Sequence, residues 1–138
     1  MGQPTQLILA HTNARYLLPG ADPKFKKKGL TFYRAIVGPG SGFEPRDGRL
    51  SNKLMDIKDG SSNTIMFVEA TDPVPWTKPD ELVYDPNGSL PRFGGHFRGG
   101  FHVAMFDGSV RFLTYDISEQ ALRAALTADG GENIPLDE

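Results

Sequence analysis

The sequence contains no cysteine. That excludes a disulfide framework, thiolate metal ligands and a cysteine nucleophile, while leaving the redox compartment open, because cysteine-free proteins occur on both sides of a membrane. No apolar run reaches the roughly 18 residues of a membrane-spanning helix. The opening segment Met1-Gly2-Gln3-Pro4-Thr5-Gln6 has no basic stretch followed by an apolar one, and it carries Gln where an acylation signal places Ser or Thr. A strong charge of either sign is also missing: the net charge is −2 and the isoelectric point is near 5.9. That balance argues against a nucleic-acid partner, which needs a basic footprint. The HExxH, GxxxxGK[ST], GxGxxG and GxSxG patterns are absent as well, so zinc-protease, phosphate-loop, dinucleotide and nucleophile-elbow chemistry have no sequence support.

Gly and Pro are abundant, at 16 and 11 of 138 residues, roughly one residue in five against about one in eight on average. With 38% hydrophobic residues, the chain is long enough to bury a real core as one loop-rich domain. Residues 1–30 read as a weakly structured arm or junction, broken at Pro19-Gly20-Ala21-Asp22-Pro23 and followed by the basic run Lys24–Lys28. Four lysines in a Pro/Gly arm are read as solvated. From residue 31 to residue 138 the texture is that of a single globular domain.

The run Leu30–Val37 is rich in β-branched and aromatic residues and bounded by glycines, which predicts a strand. Residues 38–53 read as loop. After the turn signal Asp59-Gly60-Ser61-Ser62-Asn63, the unbroken apolar run Thr64–Val68 predicts a central strand, buried on both faces and closed by Glu69. Five prolines between residues 71 and 93 predict an extended surface segment around the only tryptophan, Trp76. The sharpest local signal is Phe101–Phe106, Asp107-Gly108, Ser109–Leu113. It predicts a hairpin on a two-residue type I′ turn, with Met105 opposite Val110 and Val103 opposite Phe112 on the core face, and Ala104 opposite Arg111 and His102 opposite Leu113 on the other. The pairs Gly94-Gly95 and Gly99-Gly100 leave room for close backbone approach. Asp116 with Glu119 three positions on predicts a helix start, and Ile117, Ala121, Leu122, Ala125 and Leu126 form one apolar stripe before Gly130-Gly131. The sum is an α+β fold: a mainly antiparallel β-sheet with a C-terminal hairpin and helix.

His96 and His102 are six apart across a double-glycine break, a spacing that fits no helical or zinc-finger ligand pair. Both read as solvent-facing or sheet-edge imidazoles, and neither metal nor cofactor is expected. A calcium ion in a carboxylate-rich loop is a subsidiary possibility. Gly38–Gly42 and Asp59–Asn63 read as turns, not phosphate loops. The sequon Asn87-Gly88-Ser89 carries little weight. Trp76 and Tyr84 are the candidate ligand-binding residues, able to stack on a sugar with nearby Asp or Asn side chains as hydrogen-bonding partners.

Three blocks resemble a known family. Asp56–Glu69 resembles its DITDGTSNTIMVGE block, Val74–Leu82 its VPWTKPEDL insert, and Gly94-Gly95-His96 with Phe101–Leu113 its GGH…GGFN…FADGSVRF block. The family is the planctomycete-expanded, prepilin-like family of unknown function, also labelled solute-binding, whose C-terminal signature is His, nine residues, Asp-Gly. Here ten residues separate His96 from Asp107, and Phe97 stands where the signature histidine would fall. Asp59, Gly60, Asn63, Glu69, His96, Asp107 and Gly108 carry the resemblance as structural positions. It implies a pilin-like, β-rich head that follows an apolar N-terminal helix, the helix anchoring the full-length protein in the cytoplasmic membrane. On that basis the chain is expected to be the head alone, excised or divergent, at the periplasm or cell surface. The expected role is non-enzymatic: pseudopilin-like assembly or presentation, with other pilin-like subunits or type II secretion components as partners. The alternative is an exported carbohydrate or small-solute binding module.

Overall fold

The structure, a computed structural model, describes residues 30–46, 49–50, 60–75, 77–78 and 80–128. Asp59, Trp76, the Lys24–Lys28 run, Gly130-Gly131 and all of the expected arm except Leu30 lie outside the described residues. Among the described residues the chain forms β1 (Leu30–Val37), β2 (Pro45–Arg46), β3 (Arg49–Leu50), β4 (Ile65–Pro75), β5 (Leu82–Val83), β6 (Gly100–Met105), β7 (Val110–Thr114) and one helix, α1 (Glu119–Leu126). Five strands make one sheet in the order β5-β1-β4-β6-β7, antiparallel throughout except where β5 runs parallel to β1. The α+β expectation holds, and the strand expected to be central, β4, is central. The segment read as loop after residue 38 contains the small β2–β3 pair.

The helix covers one face of the sheet. Ala121, Leu122, Ala125 and Leu126 are buried on its inner stripe, and Leu122, Ala125 and Leu126 pack with Ile36, Ile65, Val68, Phe101, Val103, Met105 and Leu113. The helix starts one turn signal later than the sequence suggested. Ser118, not Asp116, is the N-cap, its hydroxyl accepting from the Ala121 amide at 3.1 Å. Asp116 instead accepts a hydrogen bond from the Thr114 hydroxyl, and Ile117 packs against the core from just outside the helix. The helix ends at Thr127 before reaching the glycine pair. Arg123 ties the helix to the segment between β5 and β6, pairing with Glu119 at 2.8 Å and donating to the Gly88 carbonyl at 2.7 Å.

Two further expectations are corrected. Glu69 does not close β4, which continues to Pro75. Prolines are tolerated there because the ladder is interrupted: between Thr31 and Tyr33 of β1 the register shifts, and the extra residues of β4 turn to the 92–94 segment, with Thr71 donating to Arg92 and Gly94 to Glu69. Gly94 is required at this crossing, since a Cβ there would lie 2.5 Å from the Tyr115 hydroxyl and 2.9 Å from Phe101 Cβ.

The β6–β7 hairpin exists, but on a three-residue turn. Gly108 donates to the Met105 carbonyl and Met105 to the Ser109 carbonyl, closing the turn with Gly108 at φ 85°. Phe106 thereby joins the turn and every pairing moves by one: Ala104 faces Val110, Val103 faces Arg111, His102 faces Phe112 and Phe101 faces Leu113. A one-residue shift exchanges the faces of a strand. Val110 and Phe112, expected in the core, are therefore outside it, 68% and 44% exposed, and Leu113 is inside.

The Gly108 site is open: a Cβ added there would meet no atom within 4 Å, so substitution tests backbone conformation alone. Gly108→Val should lower stability in urea unfolding by about 1–2 kcal/mol, the cost of forcing a branched residue into the left-handed region. Gly108→Asn should cost less, and an unchanged midpoint for Val would show that the turn has another form.

Candidate functional site

On the sheet face away from the helix, cross-strand pairing sets Tyr33 beside Glu69 and His102 beside Phe112. Glu69 and His102 join these pairs into one row across β1, β4, β6 and β7. Glu69 is 0% exposed. Its Oε2 accepts from the His102 backbone amide at 3.0 Å and lies 3.1 Å from His102 Nδ1. A carboxylate offers only acceptors, so Nδ1 carries the proton and Nε2 is left as the second functional nitrogen of the ring. Phe97 and Phe112 both meet the His102 ring edge-on, at centroid distances of 4.9 Å.

The second carboxylate oxygen, Oε1, is buried and has no hydrogen-bond partner among the described residues. Such a group is costly, and a sheet retains it only where the rest of the carboxylate is well held. Its negative charge is felt across the strand: burial first, and then Glu69, push the Tyr33 phenol above its ordinary pKa. His96 stands at the neighbouring bulge. Its Nε2 donates to the Ala70 carbonyl at 2.9 Å and its ring lies 3.9 Å from that of Phe32, so this imidazole is committed to holding the backbone.

At the other end of β4 the two long sequence blocks meet again. Gly60, at φ 89°, accepts from the Asn63 amide and from the Thr64 hydroxyl, closing the turn before β4. The hairpin turn docks onto it, with Asp107 donating its amide to Ser61 and Phe106 to Thr64. Phe106 packs on Phe43 at 5.0 Å, and Phe43 in turn reaches Phe67 at 6.1 Å. Gly60, Asn63, Glu69, Asp107 and Gly108 thus belong to one scaffold, stitched at both ends of β4.

Only one of the two residues proposed for ligand binding lies within the described residues. Trp76 is outside the described residues. Tyr84 is 2% exposed within the core, its amide bonded to the Val37 carbonyl, so its ring is used in packing and has no free face for a sugar. Among the described residues no group of three or more His, Asp or Glu side chains is placed to hold a metal ion. The Asp107 carboxylate is occupied by the Ser109 hydroxyl and amide, at 2.6 and 2.8 Å. Sequence reasoning missed the Glu69–His102 pair: a glutamate after an apolar run looks like a strand end, and only the register shows that it faces His102.

Residues 71–120, a little over a third of the chain, match the model of a family described as Protein of unknown function (DUF1559), SBP_bac_10. The match supports that family of unknown function and takes in the double glycines, His96, His102 and the hairpin. No curated protein and no solved structure matches the chain.

Two measurements probe the row and the turn. Glu69→Leu keeps volume but leaves the His102 amide without its acceptor, and should destabilise the domain by about 1–3 kcal/mol in urea; equal or greater stability would show that the carboxylate is dispensable. The Ser109 hydroxyl, and then its amide, hold the Asp107 carboxyl below the usual carboxylate value. A lowered folded-state pKa stabilises the fold above the unfolded value, and this contribution is lost as pH falls through the folded one. Carbon-detected NMR titration should therefore give Asp107 a lower midpoint than an unfolded peptide, and Ser109→Ala should raise it; no change on substitution would contradict the bonding described.

Proposed function

We propose that this chain is a non-enzymatic, pilin-like head domain of the cell envelope that acts by assembly or presentation. In this reading the full-length protein is held in the cytoplasmic membrane by an apolar N-terminal helix, and its partners are other pilin-like subunits or secretion components. The observation that carries it is the edge strand β7. One face of the sheet is spent on the helix, while Val110 and Phe112, two apolar side chains of a strand with no neighbour beyond it among the described residues, are offered to solvent. Exposed apolar residues on an open edge mark a contact surface more readily than a reaction centre.

The polar groups support the same reading. Glu69, His96 and Asp107, three titratable residues of the family-like blocks, are each engaged in holding backbone or turn. The segments 38–63 and 71–95 then present the variable surface. The carbohydrate-binding alternative rests on Trp76, since Tyr84 is packed in the core.

Photo-crosslinking residues placed at Val83 and Tyr115, both exposed and away from the centre of β7, test this in cells that make the native protein. The expected result is an envelope fraction containing adducts with pilin-like subunits, and an encoding gene whose upstream sequence specifies a prepilin leader and apolar helix. Recovery in the cytosol without adducts would overturn the proposal.

A further inference from the structure

The ladder between β6 and β7 fixes which backbone groups β7 turns outward. Met105 donates to the Ser109 carbonyl and Tyr115 to the Gly99 carbonyl. Hydrogen-bonded pairs alternate along an antiparallel ladder, so residues 109, 111, 113 and 115 face β6, and the amides and carbonyls of Val110, Phe112 and Thr114 face away from the sheet. The outward-facing positions are also the ones with exposed apolar side chains: Val110 and Phe112 stand on the same face as the Glu69–His102 row. Proteins protect such edges with lysine, proline, bulges or very short strands. The opposite edge, β5, has only two residues; β7 has five, with neither lysine nor proline, and its one charged residue, Arg111, lies on the other face.

We propose that β7 pairs antiparallel with β7 of a second copy of this chain, about a two-fold axis through Phe112, joining two sheets edge to edge. This rests on the assembly reading and names the partner within it. The self-pairing is restricted by parity and charge. A two-fold axis perpendicular to the sheet keeps each face on its own side, so only registers centred on a residue are allowed. Centring on Arg111 sets two guanidinium groups directly opposite at a non-hydrogen-bonded pair, where cross-strand side chains are closest and like charges repel. Centring on Phe112 removes that clash, putting Arg111 opposite Leu113 of the second copy. It pairs Phe112 with Phe112 and Val110 with Thr114; because the Thr114 carbonyl already accepts from the Ile117 amide, about four backbone bonds form, two at Phe112 and one at each Val110–Thr114 pair. The aromatic row then runs unbroken from His102 and Phe112 of one copy into Phe112 and His102 of the other, a pairing of the kind that stabilises cross-strand contacts.

Because the chain has no cysteine, a single introduced thiol reports the register. In the Phe112-centred pairing the two residue-112 Cα atoms lie about 5.5 Å apart, within disulfide reach, and the two residue-111 Cα atoms about 8 Å apart, beyond it. Phe112→Cys should form a covalent dimer under mild oxidation, and Arg111→Cys should not. Sedimentation equilibrium from micromolar to millimolar protein should show a monomer–dimer equilibrium. Phe112→Lys should weaken it about tenfold or more while circular dichroism shows an unchanged fold. A monomer at every concentration, a dimer unaffected by Phe112→Lys, or equally fast bridging through Arg111→Cys would each overturn the proposal. If the protein is monomeric yet still crosslinks to other envelope subunits through residues 83 or 115, self-pairing fails and the assembly reading stands; if those adducts are absent too, both fail.

Discussion

A carboxylate removed from water must recover, from the protein, the hydrogen bonds it has given up. Glu69 sits in the middle of the central strand with no solvent exposure, and one of its oxygens, Oε2, recovers them from one residue on the next strand, taking both the backbone amide and the ring of His102, while Oε1 has no partner among the described residues. Much else follows from this single link. It fixes the β4–β6 register on the face away from the helix, holds the His102 imidazole in one tautomer, and lets Phe97 and Phe112 close around that ring. The carbonyl of the same residue accepts from Gly94, so Glu69 also anchors the double-glycine crossing where β4 departs from β1.

The sheet consequently has two unlike faces. The helix-side face is a close-packed core of Ile36, Val68, Val103, Met105, Leu122 and Leu126, whose role is stability. The other face holds a polar centre flanked by aromatics: Phe43, Phe67 and Phe106 at one end, Phe97 and Phe112 at the other. Glu69, His96, Asp107 and Gly108, all from the family-like blocks, help to build this second face and its bracing turns. Among the described residues these side chains hold backbone and turn, and β7 has no neighbour on its outer side.

The strand Leu30–Val37 and the stripe of the helix were legible from sequence because apolar periodicity and bounding glycines act locally. The hairpin was legible in kind and not in register. Asp107-Gly108 suits a two-residue turn and equally the last two positions of a three-residue one, and the choice is made by remote contacts: Phe106 packs on Phe43, and the Phe106 and Asp107 amides are claimed by Thr64 and Ser61. The extent of β4 was hidden for a similar reason. Pro73 and Pro75 argue against a strand until a bulge and a detour to residues 92–94 are known to relieve the ladder. The burial of Glu69 has no local signature, since the group that makes it tolerable lies 33 residues away. Tyr84 shows the converse, a residue whose amphipathic character suggested a binding surface and whose ring is needed in the core.

The Glu69–His102 link pins the centre of the sheet while, among the described residues, β7 leaves its outer edge open. Amide hydrogen exchange, read residue by residue in dilute protein, tests both halves at once. The His102 amide should be among the slowest to exchange, opening only with global unfolding, while the outward-facing Phe112 amide exchanges rapidly. Exchange of His102 at the rate of an exposed amide, or protection of Phe112 equal to that of His102 in dilute solution, would contradict it.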